Sequence, residues 1–478
     1  MESRLGRRRR QGAPRGPHRR CRTRRCGGGD GDGVDRISGL NDDLLIQILV
    51  CLRCAAAAAR TSVLSRRWRG LWRHLPELSF RGIASDALQY ALAQVAIPKL
   101  SLLHIYSPHY IYPEFSVEGV ASLLRAASRL DPIDLNIVAG AGWTDEPMAV
   151  EVPSFARAVS IRLHVGNLHL KPPAQGGDFP VLERLSIAAG RFDIDPLISG
   201  CPCLRVLEVH LDEDLNPITI HSATIEELRL TCHLWLHLRG VDIVAPMLKK
   251  FTLGWSVHKD FSMSLLAPKV ENLWWNCCVG FYSEAVVIDA SGMWTLEKLK
   301  LETQESGFVL SLDVGRPHSA THTRNLQEMF QLPNISVLEL CVERRGHVYG
   351  AIALDILRIC NATQKLKLVI DRSMLWMTDD DEACPPDCLC NQPHNWRSQN
   401  ISLSLEEVEI VNFKGSGHEV DFLKLLFRCA PLTYVTLKLA SKISPSSRGC
   451  KEIYKIFKAN PAAECHVYRK RGKEIIYA

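Results

Sequence analysis

The sequence predicts an α/β protein that begins with three short helices, continues as a solenoid of short parallel strands and ends in an α/β cap. Three observations lead to this prediction. Apolar residues recur at helical spacing between residues 40 and 72. A three-position apolar pattern then recurs every 21 to 26 residues between residues 158 and 296, and a strand–helix–strand order follows residue 405.

Length and charge set the first limits on the fold. A chain of 478 residues is long enough for two or three domains, and 46% hydrophobic and 23% charged residues are typical of a globular protein. Residues 1–25 contain eleven arginines and one acid, Glu2, so the rest of the chain carries a net charge of −4 although the whole carries +6. We expect residues 1–34 to be a disordered tail that acts as a nuclear import signal, an RNA-binding arm or a passive extension.

The composition also limits the location and the partners. No apolar stretch is long enough for a membrane span, the N-terminus lacks the apolar core of a secretory signal, and the seventeen cysteines are expected to be mostly reduced thiols. We therefore expect a protein of the nucleus, the cytoplasm or both, with no membrane partner. Because the basic charge belongs to the tail, we expect no nucleic-acid-binding face on the folded part.

Residues 35–80 contain two amphipathic stretches that are too short to bury their own apolar side chains. Asp42 and Asp43 are expected to cap the first helix, and Ser65 a third short helix. The apolar residues of the first stretch at helical spacing are Leu44, Leu45, Ile48, Leu49 and Leu52. Those of the second are Val63, Leu64, Trp68, Leu71 and Trp72. The pattern predicts helices whose apolar faces are covered by a partner protein.

The order of a leading leucine, an acidic cap, a helix and the run Ser65-Arg66-Arg67-Trp68-Arg69 resembles the F-box of plant proteins. This resemblance implies binding to a Skp-family adaptor and, through it, to cullin and RING proteins. Asn41 and Arg53 stand where family members usually carry proline, and the alternative is a plain helical hairpin packed on its own domain. The adaptor-binding residues implied are Leu40, Leu44, Leu45, Ile48, Leu52, Val63, Leu64, Trp68, Leu71 and Trp72.

Residues 81–400 contain a repeat with apolar residues at positions one, four and six. Positions four and six of a strand point to the same side, and stacked coils bury what one coil leaves exposed. Pro and Gly between the patterns argue against helices at these sites. Within this range the triplets begin at Ile97, Leu130, Ala158, Leu182, Leu204, Ile225, Leu248, Val270, Leu296 and Ile335, and two more begin beyond it at Leu405 and Leu432. The pattern resembles the degenerate leucine-rich repeats of plant F-box proteins, which implies a parallel sheet.

The residues between the inward pairs are expected to form the outer face of this sheet. An aromatic side chain on a polar face is a frequent binding anchor, and neighbouring lysines favour an acidic or phosphorylated target. The alternative is an ordinary solvated sheet surface. The candidate target-binding residues are Arg229, Lys250, Trp274, Lys298 and Lys300.

Residues 401–478 are predicted to form a cap. A strand at Leu405 to Ile410, a helix from Glu419 to Cys429 and a strand at Tyr434 to Leu437 resemble the FBD domain at the C-terminus of many plant F-box proteins. A short helix near Glu452 to Lys458 and a strand through Val467 are expected to complete it. Such a cap shields the last coil of a solenoid.

An acidic and cysteine-rich loop near residues 378–396 precedes the cap. Cys384, Cys388, Cys390 and His394 are a weak candidate for a zinc site, but their spacing differs from the common zinc knuckle. A cluster of free thiols is the alternative, and we expect neither a metal nor another cofactor. The Cys-Pro-rich stretch that ends in Asn395-Trp396 also resembles a loop of grass F-box proteins.

No nucleophile elbow, phosphate-binding glycine loop or paired-histidine motif is present, so we expect no enzyme activity. The resemblance implies the substrate-recognition subunit of an SCF-type E3 ubiquitin ligase, which holds an unidentified target protein on the repeat surface. The alternative is a leucine-rich interaction scaffold outside any ligase, with RNA contacts through the arginine-rich tail.

Overall fold

The computed structural model describes most of the chain after the arginine-rich tail. The described residues are 37–107, 115–141, 148–173, 179–211, 217–232, 237–254, 256–276, 286–287, 294–304, 307–315, 334–344, 347–371, 388, 396–440, 443–444, 447–469 and 474. The tail and three of the four candidate zinc ligands (Cys384, Cys390 and His394) lie outside these residues. Among the described helices, none combines the length and apolar character that a membrane span requires.

The N-terminal segment contains two α-helices, α1 (Asp42–Val50) and α2 (Ala55–Arg60), and two short 3-10 helices, Thr61–Val63 and Leu71–His74. The expected α-helix over the second amphipathic stretch is therefore wrong, and Ser65 caps no helix. Residues 64–70 form turns instead. Gly70 directly precedes the 3-10 helix Leu71–His74 and has φ +87°, a left-handed conformation that glycine adopts without strain.

The N-cap of α1 is Asn41, and not the aspartates that follow it. The Asn41 side chain accepts a hydrogen bond from the backbone N–H of Leu44 at 2.9 Å, while Asp42 and Asp43 lie in the first turn. Asparagine is among the best N-cap residues. With asparagine in place of proline at position 41, the helix begins with a side-chain N-cap.

Twenty-one described strands follow, eighteen in one large sheet and three in a smaller one. In chain order they are β1 Glu77–Arg81, β2 Leu102–Ser107, β3 Asp134–Ala141, β4 Met148–Glu151, β5 Ser160–Lys171, β6 Arg184–Phe192, β7 Val206–Leu211, β8 Ile218–His221, β9 Glu227–Cys232, β10 His237–Val244, β11 Lys250–Gly254, β12 Ser256–Leu266, β13 Asn272–Asn276, β14 Val286–Val287, β15 Thr295–Gln304, β16 Gly307–Gly315, β17 Ile335–Val342, β18 Lys365–Ile370, β19 Glu407–Phe413, β20 Tyr434–Leu439 and β21 Glu464–Tyr468.

The main sheet follows chain order, and its pairings are parallel except around β14 and β15. The predicted parallel solenoid is confirmed. Inward positions such as Leu185, Leu207 and Leu228 pair directly across neighbouring strands and are buried. Each coil therefore covers the apolar side chains of the next, as the repeat pattern requires.

The predicted triplets hold from Ala158 onward but are shifted in the first two coils. The buried strand positions there are Leu103 and Ile105, then Leu135 and Ile137, whereas Ile133 is exposed. The prediction placed the inward pair three residues too early in the first coil and two residues too early in the second, because apolar residues also precede both strands. Strands β1, β16 and β18 also belong to the sheet and have no counterpart among the predicted triplets.

One strand of the main sheet runs against the others. Strand β15 pairs antiparallel with both β13 and β16, so the coil predicted at Leu296 is not an ordinary parallel repeat. Its inward residues Leu299 and Leu301 are nevertheless buried. Alternation along a strand is independent of strand direction, which is why the apolar pattern alone did not show the inversion.

The return segments behind the sheet are helical at both ends and extended in the middle. The helices are α3 Ser85–Ala93, α4 Val117–Leu130, α5 Ile194–Ser199, α6 Gly350–Ile359, α7 Gly417–Cys429 and α8 Arg448–Ala459. In the middle, β8, β10 and β12 form the smaller parallel sheet.

The predicted C-terminal strands and helices are confirmed as β19, α7, β20, α8 and β21, although they continue the solenoid and are not a separate body. Strand β19 pairs in parallel with β18, and the sheet continues through β20 to β21. Helix α7 begins with a capping box between Ser416 and Glu419.

The N-terminal helices share the buried core of the first coils. Leu45 and Leu49 of α1, Ala55 and Ala58 of α2, and Leu71 and Trp72 belong to the same apolar cluster as Leu75 and Leu78. Backbone bonds also cross the junction, from Ala96 N–H to Arg73 O at 3.0 Å and from Ser101 N–H to Pro76 O at 2.8 Å. These helices therefore cover the first edge of the solenoid core.

Candidate functional site

The exposed face of the N-terminal helices is an apolar surface, which we call the N-terminal patch. Leu44 is 43% exposed, Ile48 44%, Val63 87% and Leu64 65%. Leu52 is also exposed and follows Ile48 by four residues, so it lies on the same side of α1. Burying a half-exposed leucine stabilises a complex by about 1 kcal/mol, so several such residues together are a substantial apolar surface.

The structure divides the predicted adaptor-binding residues into two groups. Leu40 and Trp68 are half-buried against the core, and Leu45, Leu71 and Trp72 are buried. The last three support the patch from below and present no free surface to a partner. Helical spacing identifies residues on an apolar face, but it does not show which side of that face contacts the chain's own core.

Arg67 fixes the turn that carries the second half of the patch. Its Nε donates to Asp42 Oδ1 at 2.8 Å and its Nη1 to the carbonyl of Ser38 at 2.9 Å, and Nη2 also donates to the carbonyl of Leu40. The Ser-Arg-Arg-Trp run is thus tied to the start of α1. This role was missed from the sequence, where its visible signal was an arginine inside the second apolar stretch.

The structure shows why Arg53, in the connection between α1 and α2, is not a proline. Arg53 has φ +48°, and its N–H donates to the carbonyl of Val50 at 3.0 Å. Proline fixes φ near −65° and has no N–H, so it fits neither requirement. Substitution by proline at this position would require a different loop.

The outer face of the main sheet brings the predicted target-binding residues together around Trp274. Trp274 is 45% exposed and pairs with Thr252 on one side and with Lys300 on the other. Arg229 and Lys250 lie on the neighbouring strands β9 and β11, and Lys298 lies next to Lys300 on the same face of β15. The five residues form one surface.

The basic residues on this surface are not free charges. Lys250 Nζ lies 2.6 Å from Glu227 Oε1, and this hydrogen bond raises the pKa of Lys250. Lys300 Nζ lies 2.7 Å from Glu302 Oε1, and Lys298 Nζ 3.9 Å from Asp313 Oδ2. The surface near Trp274 is therefore close to electrically neutral, which weakens the expectation of an acidic or phosphorylated target there.

Two histidines at the first half of the outer face have lowered pKa values. Burial is the main cause of the lowered pKa of His104, with Arg81 next, and of His164, with Arg162 next. Both side chains lie on the polar outer face of the sheet, because they alternate with buried Leu103 and Leu163 along their strands.

One of the four candidate zinc ligands, Cys388, is among the described residues. Its Sγ lies 3.3 Å from Nδ1 of His347, a residue that sequence analysis did not consider. Within the described ranges, no group of three or more His, Cys, Asp or Glu residues is arranged to hold a metal ion. The zinc site remains a prediction, because three of its four candidate ligands lie outside the described residues.

Comparisons with known proteins agree with the repeat and helix pattern. An Arabidopsis thaliana F-box/FBD/LRR-repeat protein is 27% identical over 214 residues, which are 41% of this chain and 44% of the relative. A putative F-box/FBD/LRR-repeat protein of the same plant is 29% identical over 234 residues, 45% of this chain and 52% of the relative. A putative F-box protein, also of Arabidopsis thaliana, is 39% identical over 83 residues and is covered over 69% of its length.

This chain belongs to the plant F-box proteins. It is similar to the F-box/FBD/LRR-repeat proteins among them. It spans about half the length of the longer relatives that it matches. No family model matches the chain, and no solved structure matches it.

The N-terminal patch and the outer sheet face are thus two candidate binding surfaces of one F-box protein. Tyr434, His466 and Tyr468 lie on the same face at its far end and were missed from the sequence. The signal was available, because these residues flank buried Val435 and Val467 at alternate positions.

Proposed function

We propose that this protein is the substrate-recognition subunit of an SCF-type E3 ubiquitin ligase. In this proposal the N-terminal patch binds a Skp-family adaptor, and the outer sheet face binds a target protein. The single observation that carries the proposal is that Leu44, Ile48, Leu52, Val63 and Leu64 are exposed in a chain that belongs to the F-box family.

The proposed role requires no catalysis by this chain. The ubiquitin-conjugating enzyme recruited through adaptor, cullin and RING protein would supply the chemistry, and this chain would raise the effective concentration of target lysines near it. The outer face offers ion pairs and aromatic rings, which suit protein binding. Non-catalytic recognition is therefore the function that we propose.

The adaptor contact is tested by changing exposed residues only. The double variant Leu44→Asp/Ile48→Asp places two charges on the N-terminal patch without disturbing buried Leu45 or Leu49. We expect co-purification with a recombinant Skp-family adaptor to fall at least about a hundredfold, because burying two unpaired carboxylates in an apolar interface is costly. The measurement is adaptor capture at equal concentrations of folded protein, checked by thermal unfolding.

A matched control makes the same chemical change elsewhere. Tyr90 on α3 and Leu266 on β12 are both large and exposed, and they lie outside the patch. The variant Tyr90→Asp/Leu266→Asp should capture the adaptor as well as the unmodified protein does. Full capture by the Leu44→Asp/Ile48→Asp variant would remove the ligase assignment.

A further inference from the structure

A cavity on the outer face lies at its C-terminal end, six strands away from Trp274. It has a volume of about 710 Å³, against about 350 Å³ and 270 Å³ for two others on the same face. Thr436 of β20 lines it and is buried although it points to the outer side. The sheet surface is therefore recessed here, and we call this recess the tyrosine cavity.

Aromatic rings flank the tyrosine cavity in a fixed arrangement. The His466 ring lies 5.3 Å from Tyr434 and 6.1 Å from Tyr468, centroid to centroid, and is nearly parallel to Tyr468. Its two nitrogens lie 2.6 Å from Glu474 Oε1 and 2.9 Å from Glu464 Oε1, and these hydrogen bonds raise the pKa of His466. Tyr434 and Tyr468 thus have little rotational freedom to lose when a ligand binds, which favours a binding anchor.

Among the described residues that line the cavity, one basic side chain has no acidic partner. Lys365 Nζ lies 2.8 Å from Glu407 Oε2, and Lys438 contacts Glu409. Among the described residues, no carboxylate pairs with Arg469, which is exposed at the end of β21 and lines the cavity. A ligand with one carboxylate would complete the pattern of pairs that the rest of the face already shows.

The chemistry of the lining decides between classes of macromolecule. A nucleic acid would bring its phosphates close to the carboxylates of Glu407, Glu409 and Glu464, so it is disfavoured. An extended peptide presents side chains two positions apart on the same side, so one side chain can contact the tyrosines while another reaches Arg469. The rings and the unpaired guanidinium together suit such a peptide.

We propose that the tyrosine cavity, and not the surface around Trp274, binds the target protein, through an extended segment with a large apolar side chain and an acidic side chain two positions later. This inference rests on the proposed function, because it names the class of target. It differs from the expectation drawn from sequence, which placed the contact near Trp274. The residues that carry it are Tyr434, Tyr468 and Arg469.

The test uses the full chain in complex with its adaptor and three pools of fluorescein-labelled ten-residue peptides. The pools fix the central motif as Trp-x-Glu, Trp-x-Lys or Ala-x-Glu, and all other positions are mixed. We expect the Trp-x-Glu pool to bind at least about tenfold more tightly than the other two, as measured by fluorescence anisotropy. Equal binding of the three pools would overturn the proposal.

Substitutions assign the effect to the cavity. Tyr434→Ala and Tyr468→Ala should each weaken Trp-x-Glu binding about tenfold, whereas Tyr434→Phe, which keeps the ring, should not. Arg469→Glu should transfer the preference from the Trp-x-Glu pool to the Trp-x-Lys pool. The matched control is Trp274→Ala, an exposed aromatic on the same sheet face. A loss with Trp274→Ala equal to that with Tyr434→Ala would overturn the assignment to the cavity.

Failure of this inference is distinguishable from failure of the proposed function. Tyr434→Ala should capture the adaptor normally, and Leu44→Asp/Ile48→Asp should bind the Trp-x-Glu pool normally when assayed alone. Normal adaptor capture with no peptide preference overturns only the cavity assignment. Peptide preference in an unmodified chain that captures no adaptor overturns only the ligase assignment.

Discussion

At the scale of single residues, the most constrained group is a buried polar network near the start of α7. Arg344 is almost fully buried, and its Nε donates to Asp371 Oδ2 at 2.7 Å. Its Nη1 lies 3.4 Å from His418 Nε2 and 3.8 Å from Glu419 Oε1. Glu419 also accepts from the N–H groups of Ser416 and Lys414. One arginine thus connects the coil of β17 to the helix that follows β19.

His418 makes this network sensitive to pH. Burial, and then the charges of Arg344 and Arg397, lower the pKa of His418 from 6.5 to about 4. A depressed pKa contributes stability that is present above pH 6.5 and is lost as the pH falls towards 4. We predict that His418→Gln flattens the fall in unfolding free energy in this window, by up to about 1.4 kcal/mol per pH unit. Urea unfolding at several pH values measures it.

The control for this prediction has the opposite sign. The pKa of His466 is raised by hydrogen bonds to Glu474 and Glu464, so its contribution is present below pH 6.5 and is lost as the pH rises above the raised value. His466→Gln should therefore change the stability profile on the alkaline side. Identical profiles for His418→Gln and the unmodified protein between pH 6.5 and 4 would contradict the role assigned to His418.

At the scale of elements, helix α8 approaches the loop before α7 at two glycines. A Cβ built on Gly449 would lie 2.2 Å from the carbonyl oxygen of Gly415 and 2.8 Å from its Cα, so backbone meets backbone. Gly415 itself has φ +73°, which favours glycine. The close contact sets the position of α8 against α7.

We predict that Gly449→Ala lowers the unfolding free energy by about 2–3 kcal/mol, because the methyl group would force two backbone segments apart. The matched control is Gly417→Ala at the first turn of α7, where an added Cβ meets no atom within 4 Å. That change should stabilise the protein by roughly 0.5–1 kcal/mol. Similar unfolding midpoints for the two variants would show that the contact is unimportant.

The sequence predicted the strands and helices whose buried residues recur at a regular spacing. The helix α7 was expected because its inward residues repeat at helical spacing, and seven strands were expected because their inward residues alternate: β5, β6, β7, β9, β11, β13 and β20. The strands of the smaller sheet, β8, β10 and β12, were not predicted. The turn between Leu64 and Gly70 was mistaken for a helix because Trp68 and Leu71 fit a helical period by chance. The direction of β15 was missed because apolar residues alternate in the same way in either strand direction, although β16 begins only three residues after β15 ends.

The candidate site was predicted less completely than the fold. The apolar residues of α1 were found, but periodicity could not tell exposed Leu44 from buried Leu45, which needs the position of the first coil. Likewise, the lysines near Trp274 were found, but their pairing with Glu227 and Glu302 depends on strand register. Register is a property of the assembled sheet and not of one strand.

At the scale of the whole molecule, the F-box and the solenoid share one core. We predict that deleting residues 37–74 lowers the thermal unfolding midpoint of the remaining chain and its soluble yield, because Leu75, Leu78 and Leu103 lose their cover. The point variant Leu44→Asp/Ile48→Asp should show neither loss. An unchanged midpoint after the deletion would mean that the helices contribute nothing to the solenoid.

Point variants are consequently better baits than deletions for capturing targets. A chain that lacks its F-box would expose apolar coil edges and collect unrelated proteins. The Leu44→Asp/Ile48→Asp variant keeps its N-terminal helices, which cover the first coils of the solenoid. Proteins that accumulate on the point variant, and not on its Tyr434→Ala derivative, would be candidate targets.

The number of strands in the main sheet also sets the distance between its two ends. Fourteen strand-to-strand steps separate β1, beside the F-box, from β20 in the tyrosine cavity. At about 4.8 Å per step, the path along the sheet is roughly 67 Å. Under the proposed ligase role, a relative with one strand more or fewer would hold its target about 5 Å nearer to or farther from the ubiquitin-conjugating enzyme. The number of coils would then determine which target lysines that enzyme can reach.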